Sequence, residues 1–339
     1  MSPTPFKEAT EKGAFMSLMN TFYPIIMLRK LTVLFILGIL SNISFGQCSD
    51  AGVCSIASHP SEYSLPGYSL GLGYSIGSSG KEDKITYHSL SVKGSYDILT
   101  NVSLSLAVPF NIQTSDYSTI SGIGDISFVS NFFLWREEMF PLTSDTVFAH
   151  EPPIFGGLQF QLGGKFATGR VNEKNLPLKY QSGLGTSDLL LGMTYTHQGF
   201  LLGVGYQHPF GITKNSFDSI GRGPDFLWRI SYSTRVGDFN FSGDILAIKR
   251  LAETKQYVDS NFVFTTEFSP DPIDVSKGYY KILGSNQFQI NFSARAQYIL
   301  SIHTTTEIGV AFPLLKRKEN SDGLKRAFTI SVGITTQFW

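Results

Sequence analysis

The stretch FTISVGITTQFW, Phe328 to Trp339, decides how the rest of the chain is read. Apolar residues take every second position, Phe328, Ile330, Val332, Ile334 and Phe338, with Thr336 holding the phase. Thr329, Ser331, Gly333, Thr335 and Gln337 stand between them. Successive side chains of a strand point to opposite faces, so a period of two means two different surroundings. The segment ends on an aromatic pair, although Phe338 rather than Trp339 keeps the apolar phase. A strand of this kind suits the closing strand of a bacterial outer-membrane barrel, where aromatic girdles mark the membrane interfaces. The expected fold is all-β: a transmembrane antiparallel up-and-down β-barrel. Its outer face meets outer-membrane lipids, and the strand ending Phe338, Trp339 is the expected signal to the barrel-insertion machinery.

From Tyr68 onward about twelve segments repeat the pattern. In the clearest, Phe288, Ile290, Phe292, Ala294, Ala296 and Tyr298 alternate with Gln287, Gln289, Asn291, Ser293, Arg295 and Gln297. A slip of one residue would put Arg295 into lipid, at about 2–4 kcal/mol near the midplane. Tight turns are expected at Asp97 to Asn101, His197 to Gly199 and Gly237-Asp238. Longer polar loops are expected at Gly77 to Lys84, Gln113 to Gly122, Thr168 to Gly185, Gly211 to Pro224, Arg250 to Asn286 and Lys316 to Arg326. Short turns on one side and long loops on the other place both termini in the periplasm. Arg136 to Pro153 breaks that rule, being long on the short-turn side. Pro109, Pro209 and Pro313 should mark the external rim, because proline removes a ladder donor. A soluble β-sandwich is the competing fold, but it would not need aromatics at the ends of nearly every strand.

The 339 residues carry 27 Lys+Arg and 27 Asp+Glu, so the net charge is zero. No basic excess points to a nucleic-acid partner. Residues 1–46 read as a signal peptide: Arg29 and Lys30, then the apolar Leu31 to Leu40, then Ser44-Phe45-Gly46 as the cleavage site. Ten apolar residues are too few to span a bilayer as a helix. Residues 1–26 fit no such pattern, and translation from Met27 would give an ordinary signal. Residues 47–66 form a short periplasmic segment, and 67–339 the barrel. The only cysteines, Cys48 and Cys54, are expected to form a disulfide in the oxidising periplasm. The alternative, a soft-metal site with His59, falls one protein ligand short of tetrahedral.

The phase opposite to the apolar one carries Lys93, Asp125, Lys165, Asp188, Arg229, Asp244, Arg295 and Glu307. These are the expected lumen-lining residues. They either pair across a narrow interior or line a pore and select what passes, and pairing is preferred for most. Gly203 and Gly205 should leave room along one wall. No catalytic set is assembled: there is no His-Glu-x-x-His, no phosphate loop and no zinc spacing. No cofactor and no reaction are expected.

Three stretches resemble the outer-membrane family labelled "MetA-pathway of phenol degradation". They are SLAVPFN (Ser105 to Asn111) with SGIGDISF (Ser121 to Phe128), FATGR (Phe166 to Arg170), and SGLGTSDLLLGMTY (Ser182 to Tyr195). The proline that usually precedes the second motif is absent. The resemblance implies a barrel that passes small molecules, hydrophobic or aromatic ones among them. Asp125 and Asp188 would then close turns by accepting backbone N–H groups or place charge at the pore mouth, the turn role being preferred. The leading expectation is an outer-membrane channel or transporter for small solutes. A closed structural or surface-binding barrel, with Arg250 to Asn286 as plug or arm, is the alternative. A lipid-modifying hydrolase is third.

Overall fold

The computed structural model describes residues 67–80, 84–139, 154–217, 219–257, 278–301, 303–317 and 326–338. The expected signal peptide, Cys48, Cys54 and Trp339 lie outside these. In chain order the strands are β1 (Tyr68–Ser78), β2 (Thr86–Leu99), β3 (Val102–Thr114), the short β4 (Thr119–Ile123), β5 (Ile126–Met139) and β6 (Ile154–Phe166). Then come β7 (Ser187–His197), β8 (Phe200–Phe210), the short β9 (Thr213–Lys214) and β10 (Ser219–Gly221), β11 (Asp225–Val236) and β12 (Phe239–Arg250). The last are the short β13 (Lys255–Tyr257) and β14 (Tyr279–Lys281), followed by β15 (Phe288–Ile299), β16 (Thr304–Leu315) and β17 (Phe328–Phe338).

The long strands pair antiparallel in sequence order, and β17 returns to pair with β1 from Tyr68↔Phe338 to Ser78↔Phe328. This closes a barrel of twelve strands with no free edge. Alternation sets the two faces. Leu70, Leu72, Tyr74 and Ile76 of β1 are exposed on the outside, as are Trp228, Ile230 and Tyr232 of β11. An apolar surface wrapping a closed barrel is stable in hydrocarbon, and barrels of this kind belong to the bacterial outer membrane. Aromatic pairs collect at the end with the short turns: Tyr68 stacks on Phe338, Phe200 meets Tyr232, and Phe239 meets Tyr298, with centroids 4.9, 4.6 and 4.8 Å apart. His208 joins the outer aromatics near the other end, its Nδ1 3.1 Å from Tyr206 Oη.

The tight turns fall where expected, Gln198-Gly199 and Gly237 supplying the positive φ they need. Each expected rim proline stands two residues past the last pair on one side of its strand. Pairing of β3 with β5 ends at Ala107↔Ser127, of β8 with β11 at Gln207↔Asp225, and of β16 with β17 at Ala311↔Thr329. Pro109, Pro209 and Pro313 follow, where no donor is required on that side.

The loop end departs from the sequence reading. The stretch 113–122 contains β4, which lies on β3. Stretches 211–224 and 250–286 contain β9, β10, β13 and β14, which form a separate four-stranded sheet. These strands have two or three residues each, too short for periodicity to reveal. Arg136 is strand rather than connection, and 140–153 lie outside the described residues.

Candidate functional site

At the loop end the family-like motifs meet around Asp125. Its carboxylate accepts N–H groups from Gly169 at 3.0 Å and Leu184 at 2.9 Å. Thr168 Oγ1 donates to the Gly124 carbonyl at 2.8 Å and accepts the Ile126 N–H at 3.0 Å. Asn111 Nδ2 donates to the Ser182 carbonyl at 3.0 Å. The motifs therefore encode a clasp between the β3–β5 and β6–β7 connections. Asp125 accepts backbone N–H groups, but from residues 44 and 59 positions away rather than, as expected, from its own turn.

Asp188 behaves differently from that expectation: the groups around its carboxylate are side chains. Lys165 Nζ lies 2.7 Å from it and Arg222 Nη2 2.7 Å, with Thr186 and Gln207 also donating. The side chains of Lys165 and Asp188 are 2% and 0% exposed. β6 and β7 create the pair by register, since Lys165 stands opposite Asp188. Beside it, Asp225 receives Arg250 through two nitrogens, at 3.1 and 2.9 Å, and Arg317 at 3.1 Å. Buried ions persist only when paired and hydrogen-bonded, so this layer is mutually dependent.

Below it the inner face is apolar. Val129, Leu190, Leu227, Leu246 and Ile248 form a buried cluster. Gly203 and Gly205 do not leave room there. They are buried, with Arg229 and Leu227 opposite them in the register. Arg229 Nε stands 3.8 Å from Asp244, whose carboxylate also accepts the Ser231 and Ser293 hydroxyls.

The opposite wall is different. Across β16, β17, β1 and β2 one row of register partners reads Glu307, Gly333, Gly73 and Ser91. The next row has Thr335, Gly71 and Lys93. Small side chains leave this wall low. Lys93 is exposed, and the Arg295 and Glu307 side chains are 43% and 30% exposed. Arg295 lies 3.9 Å from both Glu307 and Asp244, longer than a hydrogen bond. Among the described residues no ion pair involves Lys93.

Towards the loop end this wall meets a cover. Tyr87 crosses Gly77 of β1, where any Cβ would lie 2.3 Å from its hydroxyl, and donates to the Phe328 carbonyl at 3.2 Å. It packs with Ile85, Ile120 and Tyr180 from three loop-end connections, and the Arg326 guanidinium sits 4.6 Å over its ring.

Of the expected inner charges, Asp125, Lys165, Asp188, Arg229 and Asp244 are therefore dry, and Lys93, Arg295 and Glu307 are wet. Sequence reading missed Arg222, Asp225, Arg250 and Arg317. Asp225 and Arg250 follow from carrying the inner phases of Leu227 and Ile248 one step further. Arg222 and Arg317 reach in from loops, with no periodic signal. The Cys48–Cys54 disulfide lies outside the described residues.

No protein-family model matches the chain, and neither does any curated protein. The chain is similar in structure to an outer membrane channel from Pseudomonas putida F1, at 13% identity and TM-score 0.57, over 83% of this chain and 100% of that one. A monoaromatic hydrocarbon channel, CymD, aligns at 10% identity and TM-score 0.43, over 88% and 94%. The NanC porin aligns at 11% and 0.42, over 80% and 100%. The first of these supports the fold; none assigns a solute to this chain.

Proposed function

We propose that this barrel is an outer-membrane channel for small solutes, with its path along the low wall of β15, β16, β17, β1 and β2. The observation that carries the proposal is the division of the inner charges. One side is packed dry by ion pairs and leucines, while Lys93, Arg295 and Glu307 stay solvated beside glycines and serines. Purely structural charges would all be expected to be paired and buried. The path is polar, so a polar solute suits it better than the hydrophobic or aromatic one that the family-like motifs suggest. The chemistry invoked is passage, not reaction.

The cluster around Tyr87 favours a second reading, in which the loop end is shut and the barrel is structural. Planar-bilayer recording separates the two. A channel gives discrete conductance steps, and Tyr87→Ala raises their size by removing the cover. Barrels that show heat-modifiable migration but conduct in neither form support the structural reading.

A further inference from the structure

We infer that the path selects for small anions and that Lys93 is the residue that sets this preference. The inference rests on the channel reading above. Among the inner charges paired above, cations outnumber carboxylates. At the loop end Lys165, Arg222, Arg250 and Arg317 face Asp125, Asp188 and Asp225. At mid-barrel Arg229 and Arg295 face Asp244 and Glu307. The loop end keeps one cation in excess, but its charges are buried and ion-paired, and the mid-barrel groups balance. Lys93 adds a further cation, and this one is exposed.

Its position gives that charge its effect. Lys93 stands in the middle of β2, with seven strand residues before it and six after it. Leu90 and Val92 turn outward to lipid, and Lys93 takes the opposite phase. A Cβ built on Gly71 would lie 3.8 Å from the Lys93 Cβ and 3.0 Å from Thr335 Oγ1, so all three share the inner face. Its neighbours in register, Gly71 and Ala107, are too small to shield it. Of the acidic residues in the inner phase of this wall, Glu307 lies in a different row, beyond Gly333 and Gly73, and Asp97 lies four residues further along β2. A solvated cationic side chain on the inner wall of a barrel, with no carboxylate paired to it among the described residues, concentrates anions and repels cations along the path. The ligand class is a small anion, inorganic or carboxylate, that keeps part of its hydration.

The test is the reversal potential of the folded barrel in a planar bilayer under a potassium chloride gradient. Wild type should favour chloride over potassium. Lys93→Gln should cut that ratio about tenfold, because one charge acting across roughly 6 Å of water favours chloride about threefold and disfavours potassium about threefold, and Lys93→Glu should reverse it. Lys93 is solvated, so neither change should unfold the protein, and heat-modifiable migration checks this. Discrete conductance with a ratio that Lys93→Glu leaves unmoved, or a cation-selective wild type, overturns the inference and leaves the channel standing. A folded barrel without conductance steps overturns both.

Discussion

Gly169 and Gly183 lie so close that a Cβ built on either would be 2.5 Å from the other's Cα. The two residues belong to different motifs and sit on either side of the β6–β7 connection. Asp125 holds them there by accepting N–H groups from Gly169 and from Leu184, the residue after Gly183. Neither glycine can become alanine without moving backbone. Gly169→Ala or Gly183→Ala should destabilise the barrel by about 1–3 kcal/mol, as overpacking does. Gly243→Ala, where nothing lies within 4 Å of the new Cβ, is the control. Thermal shift of the heat-modifiable gel band measures the difference, and equal melting of all three variants would show that the clasp is not tight.

The buried carboxylate of Asp188 has two cations against it, Lys165 and Arg222. Asp188→Ala removes the anion that both touch and leaves Lys165 the more distant Asp125, 3.9 Å away. Breaking a buried pair from one side costs about 3–5 kcal/mol, so this variant should be among the least stable single changes in the barrel. Glu173→Ala is a comparison, because its Arg170 partner is largely exposed and surface pairs contribute at most about 1 kcal/mol. Urea titration of the two variants in detergent should show the gap, and similar midpoints would refute the dependence of the ion layer on Asp188.

Ile230 lies mid-strand on the outer face of β11 and is exposed. Ile230→Arg should cost about 2–4 kcal/mol in a bilayer, the cost of a cation near the hydrocarbon midplane. In a water-soluble sandwich the same change would be almost free. Refolding yield into liposomes, measured against wild type, distinguishes the two, and an unchanged yield would remove β11 from the lipid boundary.

The faces of the strands were legible because period two is a local property: Phe328, Ile330 and Val332 share a face whatever the rest of the chain does. For the same reason the tight turns at Gly199 and Gly237 and the rim prolines could be located from residues close in sequence. Which inner charge meets which could not, because pairing depends on the register of strands far apart in the chain. Lys165 finds Asp188 across β6 and β7, whereas Asp225 takes Arg317 from 92 residues away. The same register, summed around the closed sheet, sets Arg229 and Leu227 beside Gly203 and Gly205 on one wall and gathers Gly71, Gly73 and Gly333 with Ser91 and Thr335 on the other. Alternation fixed in or out for each residue. Only closure of the barrel decided which inward residues are packed dry and which remain in water.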